Sequence, residues 1–367
     1  MALMRWFAVV LVFFSIQGVA ASAAKVVTVS QLEAMLTEAH ARHLSDLEIT
    51  QQLSSVELSE RLIDLNLTRL EALLEPGSQA ATALELLADQ SIFFEPSAAE
   101  LTDTSMPDTK GLEQIVKATA NYVNQYLSAS PNLLATRTTV SYSGGGYRNK
   151  KDEWIAHPGL NKIRSASQEI SIRNDRVEVS QKDKKHRNRG KDHNEEMSSW
   201  GEFGALFAVV LNDSAHGGRI FWSYWEPSAA GQLAVLGFQV PQAASHYSFD
   251  QMHEVSRPAY HGLLWVEPVS GVVSSLLIQL EPFSFFTYDR FATMVRYGPV
   301  KIEDKTCICP VRSAAVEKTD ALASDAQDGM WLNEVTFTNY HRFGSTAQIV
   351  PNSDPATSKM PASKQPH

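Results

Sequence analysis

Two successive β-hairpins over residues 260–316 constrain the fold of this chain more than any other feature. In the first, an apolar segment runs into Glu267–Gly271, and a second apolar segment runs out to Leu280. A proline inside that turn sets φ at its first corner, and the closing glycine takes the left-handed position. The second hairpin, Val295–Val316, turns at Glu303-Asp304. Together they predict an antiparallel meander and carry no chemistry of their own.

The N-terminus has the pattern of a secretory signal peptide. Arg5 supplies the positive charge, Trp6–Ile16 form an apolar core, and Ala21-Ser22-Ala23 offers the small residues of a cleavage site. The core is about 11 residues long, whereas a membrane span needs roughly 20. We therefore expect residues 1–23 to be removed, with cleavage one residue later or an uncleaved anchor as the alternatives. The mature chain is expected to be exported, periplasmic or extracellular, without a transmembrane segment.

The composition is that of an acidic globular protein. The formal net charge of −9 argues against nucleic acid as a partner. The only two cysteines, Cys307 and Cys309, flank Ile308 in a predicted strand and therefore point to one face. Two packed thiols are one interpretation, and a labile redox pair or an intermolecular crosslink are the others. A single Cys-x-Cys cannot form a zinc site alone.

Residues 24–95 are predicted to form a helical domain. Ser54–Glu57 matches a capping box ahead of a leucine-rich helix that reaches Leu74. Pro76-Gly77 stop that helix, and another follows over residues 78–92. The leucines cover too much of the helix circumference for one narrow stripe, so we expect burial between neighbours or contact with a partner.

The rest of the chain divides into a linker, one helix and a long β region. Residues 96–110 are rich in Pro, Ser, Thr and Asp and predict a linker, and Gly111–Ser128 predicts an amphipathic helix. From Leu133 onward, about ten or eleven strands are predicted, and the tail 351–367 has the composition of a disordered segment. The predicted elements include a strand at Leu133–Tyr142, a hairpin over 169–179, a helix at Trp200–Leu211, a hairpin of Arg219–Glu226 and Leu233–Val240, and a closing strand at Trp331–Phe343. The predicted fold class is α+β, with an N-terminal helical segment and a large antiparallel half-barrel, residues 111–350, packed on a helix.

The sequence lacks the motifs of common enzymes and metal sites. It has no Gly-x-Ser-x-Gly elbow, and Gly144–Tyr147 lacks the Gly-Lys-Ser/Thr of a phosphate loop. Two groups of histidines are close in sequence without a spacing that forces them together: His40 with His43, and His246, His253 and His261. We predict no catalytic residue, no metal and no cofactor, with a hydrolase lacking a recognisable motif as an alternative.

A basic segment, Lys182–Lys191, holds the strongest local charge. Its cations Lys184, Lys185, Arg187 and Arg189 are candidates for contact with an anionic envelope surface such as lipid headgroups. A solvated loop is the simpler interpretation.

An aromatic segment, Phe221–Trp225, is the candidate ligand-binding element. In a regular strand Phe221 and Trp225 share one face, while Trp222 and Tyr224 share the other. With Phe238 and Trp265 from neighbouring strands, Trp222 and Tyr224 are candidates to line a lipid-sized pocket. Ordinary core packing is the alternative.

The order of signal peptide, helix and antiparallel meander resembles the half-barrel proteins of the periplasmic lipoprotein carriers and the sensor domains of sigma-E regulators. The stretch Tyr260-His-Gly-Leu-Leu-Trp-Val-Glu-Pro-Val-Ser-Gly-Val-Val273 looks like a hairpin of such sheets, with Glu267 where Asp is usual. Val295–Val311 is similar to a family of uncharacterised exported bacterial proteins of acidobacterial type. The resemblance covers residues 111–350. It implies an incomplete barrel over helices, an apolar concave face that can hold acyl chains, and no catalysis.

These observations predict an exported, non-enzymatic protein that binds a lipid, a lipoprotein or another apolar ligand on the concave face of the sheet. The first alternative is a protein-interaction module of the cell envelope that uses the helical domain, because this domain lies outside the carrier pattern. The second alternative is the hydrolase named above.

Overall fold

A computed structural model describes residues 24–129, 132–144, 147–148, 154–155, 159–173, 176–179, 201–251, 254–282, 290–319 and 329–342. The predicted signal peptide, the basic segment with Lys184, Lys185, Arg187 and Arg189, the predicted tail 351–367, and His253 lie outside the described residues.

The helical domain, residues 24–95, contains four α-helices and one short parallel strand pair. The elements are β1 (Lys25–Val27), α1 (Val29–Ala41), α2 (Asp46–Ser54), β2 (Val56–Leu58), α3 (Asp64–Glu71) and α4 (Gln79–Gln90). Their leucines, including Leu32, Leu53, Leu70 and Leu84, fill a core that belongs to this region. Thr28 and Ser45 form capping boxes at the starts of α1 and α2, and the Ser78 hydroxyl accepts the N–H of Ala81 at the start of α4.

The predicted capping box at Ser54–Glu57 is wrong. The chain leaves α2 at Ser54 and enters β2, which pairs in parallel with β1. Val56 and Leu58 are buried on either side of exposed Glu57, and this alternation is that of a strand. The leucine-rich helix therefore begins only at Asp64. Tertiary pairing with β1 overrides a local cap pattern because both apolar side chains enter the domain core.

The predicted linker 96–110 is attached to the β region by hydrogen bonds. The indole N–H of Trp225 donates to the Ser105 carbonyl at 3.0 Å, and the Thr102 hydroxyl donates to the Trp225 carbonyl at 3.3 Å. The amide of Gln232 donates to the Thr104 hydroxyl at 3.0 Å. Next comes α5 (Thr109–Ala129), which includes the whole of the predicted helix 111–128.

Ten strands form one open antiparallel sheet. The described β region has fourteen strands, of which four lie outside this sheet; in chain order they are β3 (Leu133–Gly144), β4 (Tyr147–Arg148), β5 (Trp154–Ile155), β6 (Asn161–Arg173), β7 (Arg176–Val179), β8 (Arg219–Ser228), β9 (Gly231–Val240), β10 (Phe249–Gln251), β11 (Glu254–Ser256), β12 (Tyr260–Val266), β13 (Val273–Leu280), β14 (Arg290–Ile302), β15 (Lys305–Thr319) and β16 (Gly329–Arg342). The order across the sheet is β7-β6-β3-β16-β15-β14-β13-β12-β9-β8, so β7 and β8 are its edges. The pairs β4–β5 and β10–β11 stand outside it. The predicted α+β class with a large antiparallel sheet is confirmed.

Both hairpins of the predicted meander are present. The Gly271 N–H donates to the Glu267 carbonyl at 2.9 Å, and Gly271 has a φ of +75°. A Cβ at this position would lie 2.2 Å from the backbone carbonyl carbon of Ala118, so the turn also packs closely on α5. The second hairpin joins β14 to β15 with Glu303 in the left-handed region at φ 55°. The helix predicted at Trp200–Leu211 is displaced: α6 spans Ala205–Ala215.

Apolar layers cover both faces of the sheet centre. On the helix face, α5 and α6 contribute Ile115, Val123 and Phe207 to a core shared with β9 and β12–β14. On the domain face, Leu86 and Ile92 of the helical domain pack against Trp265, Leu277 and other residues of the central strands. The sheet is therefore the middle layer between two helices and the helical domain.

Candidate functional site

The four aromatic residues predicted to line one pocket are divided between the two faces of the sheet. Trp222 packs with Phe238 in the helix-face core, whereas Tyr224 and Trp265 belong to the domain-face core. The cause is a β-bulge: Trp222 pairs with Leu236 and Tyr224 with Val235, which leaves Ser223 as an extra residue. The prediction that Trp222 and Tyr224 share a face is wrong for this reason. Trp222 instead meets Trp225 edge to face, with ring centroids 4.8 Å apart.

Tyr224 and Trp265 are contacts for a buried arginine of the helical domain. The Arg61 guanidinium donates to the Tyr224 hydroxyl at 2.8 Å and to the Glu226 carboxylate at 2.6 Å. Its central carbon lies 4.7 Å from the centroid of the Trp265 ring. Trp265 is 2% exposed and Phe238 is fully buried. The four candidate residues are thus packed inside the protein, on two faces of the sheet, and line no common pocket.

A second ion-pair network holds α4 against the sheet. The Arg312 guanidinium makes a two-pronged contact with the buried Asp89 carboxylate at 2.8 and 2.6 Å, and also donates to Glu334 at 3.0 Å. Nearby, Arg296 donates to Asp64 at 3.0 Å. Burial opposes the charge of Arg312, but the carboxylate of Asp89 outweighs it and raises the pKa of the guanidinium above its ordinary value. These ion pairs join the helical domain to β14 and β15 of the sheet.

A groove of about 480 Å³ lies where the helical domain meets the end of the sheet formed by β3 and β6. Its apolar lining comes from both parts of the chain: Leu53, Val56, Leu86, Leu87, Tyr142 and Leu160. Hydroxyl and amide groups of Thr50, Ser54, Gln79, Thr82 and Gln90 complete the walls. Burial raises the pKa of Tyr142 to about 12, so its hydroxyl is protonated at neutral pH. The groove offers an apolar surface with uncharged hydrogen-bonding groups, a chemistry suited to an amphipathic molecule.

Two charged residues also line the groove. Glu57 has a partner, because its carboxylate lies 3.9 Å from the Lys318 ammonium. Lys162 is the single cation in the lining, and it forms no ion pair with any residue that the structure describes. Neither the groove nor Lys162 was found from sequence, since the lining residues are spread from Ala24 to Lys162 and share no motif.

The histidines that lie close together in sequence contact different partners in the structure. The imidazole of His246 contacts the fully buried Asp213 carboxylate at 2.6 Å, and the Tyr260 hydroxyl donates to the same carboxylate at 2.9 Å. His261 lies 2.8 Å from Glu281 instead. His40 contacts the Leu73 carbonyl at 3.2 Å. Within the described ranges no three His, Cys, Asp or Glu side chains are grouped so that they could hold a metal ion.

The two cysteines are free thiols. Cys309 is 3% exposed in a cluster with Phe203, Phe337 and Tyr340, and Cys307 packs at its border. Burial raises the pKa of the Cys309 thiol to about 12, so the thiolate required for redox chemistry is disfavoured. Of the three interpretations, packed thiols agree best with this environment.

Among the helices of the described residues, none is both long and apolar enough to cross a membrane.

Comparison with solved structures finds distant structural similarity. Neither a family model nor a curated protein matches the chain. A solved structure of a DUF1329 family protein from Desulfovibrio piger aligns with 65% of this chain and 94% of its own, at 8% identity and a TM-score of 0.29. Similarity at this level carries no argument about function.

Proposed function

We propose that this chain is a non-enzymatic binding protein that holds one small lipid-like molecule in the groove between the helical domain and the sheet. The observation that carries the proposal is the cavity of about 480 Å³ at this boundary. Ligand pockets typically measure about 300–1,000 Å³ and are frequent where two structural units meet. The signal-peptide pattern of residues 1–23 supports a role outside the cytoplasm.

The groove replaces the sheet surface as the binding site in this proposal. The centre of the sheet is covered by α5 and α6 on one face and by the helical domain on the other. In the groove, by contrast, Ala83 of the helical domain and Leu160 of the β region are only partly buried, so both parts of the chain leave apolar surface accessible to a ligand. An acyl chain in this space would contact both parts of the protein.

Calorimetric titration with straight-chain primary alcohols of increasing length tests the proposal. Each methylene transferred from water into the groove contributes about 0.8 kcal/mol, or roughly fourfold in affinity. We therefore expect affinity to rise with chain length and to reach a plateau when the groove is full. An alcohol series without saturable binding would contradict the proposal.

Ala83→Phe is the matching variant, because Ala83 lines the groove on α4 and a phenyl ring would occupy its volume. We expect affinity for the longer alcohols to fall by about tenfold or more, equivalent to ~1.4 kcal/mol. The control is Ala34→Phe, which makes the same change at an exposed position of α1 outside the groove lining. Wild-type affinity in Ala83→Phe, with folding verified by circular dichroism, would place the bound alcohol elsewhere.

A further inference from the structure

The charge distribution of the groove indicates the chemical class of its ligand. Lys162 is the one cation of the lining, while the acid of the lining, Glu57, faces Lys318 outside it. The remaining polar groups of the groove are neutral hydroxyls and amides. A ligand in the groove would therefore contact the positive charge of Lys162, which has no ion-pair partner among the described residues.

The position of Lys162 separates this charge from the apolar part of the groove. Lys162 of β6 pairs directly with Tyr142 of β3, and such cross-strand neighbours have adjacent side chains on one face of the sheet. Tyr142 lines the groove and is 6% exposed, whereas Lys162 is exposed to solvent. A long lysine side chain lays its methylenes along apolar surface and keeps its ammonium in water. The charge consequently lies at the solvent side, next to an apolar interior.

We propose that the groove selects a single-chain carboxylate, with the carboxylate at the Lys162 ammonium and the acyl chain along Ala83 and Leu160. A monoanion suits this site because lysine provides one compact charge. Phosphate recognition more often uses the two-pronged geometry of arginine, and the groove lining contains no arginine. This inference rests on the proposed function, since it specifies the ligand of the same groove.

The expected selectivity is modest because the ion pair is exposed to solvent. Exposed pairs contribute little and are screened by salt. We expect Lys162 to favour a carboxylate over the alcohol of equal length by about two- to fivefold at low ionic strength, and by less at high ionic strength.

The test compares dodecanoate with dodecan-1-ol by calorimetry at low salt. The measured quantity is the carboxylate preference, defined as the dissociation constant of the alcohol divided by that of the carboxylate. In Lys162→Met we expect this preference to fall about two- to fivefold while alcohol binding is retained. Lys162→Arg keeps the charge and should keep the preference. Lys301→Met, at an exposed position of β14 outside the groove lining, is the matched control and should behave as wild type.

The two proposals fail in different ways. If wild type binds the alcohol and Lys162→Met retains the full carboxylate preference, the assignment of the carboxylate to Lys162 is overturned and the groove remains a binding site. If wild type binds neither dodecanoate nor dodecan-1-ol, the proposed function itself is overturned. An equal loss of preference in Lys301→Met would also overturn the assignment, because net charge alone would then explain the effect.

Discussion

At the scale of the residue, Asp213 shows how a buried carboxylate can be stabilised by several converging hydrogen-bond donors. Its side chain is fully buried on α6 and accepts the backbone N–H of His246 at 2.7 Å and the Tyr260 hydroxyl at 2.9 Å, while the His246 imidazole lies at 2.6 Å. These contacts connect α6 to the segment after β9 and to β12. Burial alone would raise the pKa of Asp213, but the hydrogen bonds from His246 and Tyr260 outweigh it and hold the pKa below the ordinary value.

We expect Asp213→Asn to lower the free energy of unfolding by about 1–3 kcal/mol, because the amide replaces one carboxylate oxygen with an NH2 group that cannot accept the hydrogen bonds from buried donors. Since the folded-state pKa of Asp213 lies below its unfolded value of about 3.8, its ionisation stabilises the fold above that pH, and this contribution is lost as pH falls through the folded pKa. Below pH 4, the free energy of unfolding of the variant should therefore decrease less steeply with falling pH than that of wild type. Urea unfolding between pH 3 and pH 7 measures both effects.

Glu281→Gln is the control for Asp213. Glu281 contacts His261 at 2.8 Å, but both side chains are close to half exposed. Removal of its charge should change stability by less than about 0.5 kcal/mol. Equal losses in the two variants would contradict a special role for the buried carboxylate.

At the scale of the element, α4 is the part of the helical domain that both completes the groove and carries the main charge contact with the sheet. Asp89 near its end meets Arg312 of β15, and Ala83 and Leu86 line the groove. Because Asp89 is fully buried, its charge requires its arginine partners, Arg312 at 2.6 Å and Arg296 at 3.6 Å. The position of the groove wall thus depends on an ion pair formed beside it.

Arg312→Met is expected to destabilise the protein by about 1–3 kcal/mol, because the buried Asp89 carboxylate loses both hydrogen bonds from Arg312 and keeps only the Arg296 guanidinium at 3.6 Å. Chemical denaturation followed by far-UV circular dichroism measures the loss. Arg42→Met is the control, since Arg42 pairs with Glu38 on the surface of α1, where both side chains are more than 60% exposed. We expect it to change stability by about 0–1 kcal/mol. A cost below 1 kcal/mol for Arg312→Met would mean that apolar packing alone positions α4.

Sequence patterns predicted the elements far better than their contacts. The meander, α4 and α5 follow from periodicity and turn residues, because these signals are local. The bulge at Ser223 and the strand β2 were missed, since both are defined by pairing with residues distant in the chain. The ion pair between Asp89 and Arg312 joins residues more than 200 positions apart, and no spacing rule predicts it.

At the scale of the whole molecule, the candidate site exists only in the folded chain. Its walls come from the helical domain and from the β region, and neither part alone encloses the volume. The four aromatic residues that sequence analysis favoured belong instead to the two cores that hold the layers together. The aromatic residues correctly indicated apolar side-chain surface. Only the layered arrangement shows which part of that surface is packed against another layer and which part is accessible to a ligand.

A ligand that contacts both walls must stabilise the native state, because it has no comparable site in the unfolded chain. At a free ligand concentration 100 times the dissociation constant, the expected gain is about 2.7 kcal/mol. Dodecanoate should therefore raise the midpoint of thermal unfolding of wild type and of Ala34→Phe in a concentration-dependent manner, and should have little effect on Ala83→Phe. Differential scanning calorimetry also reports whether the helical domain and the sheet unfold together. A ligand that raises the midpoint of Ala83→Phe as much as that of wild type would bind outside the groove, and the link between this interface and binding would have to be abandoned.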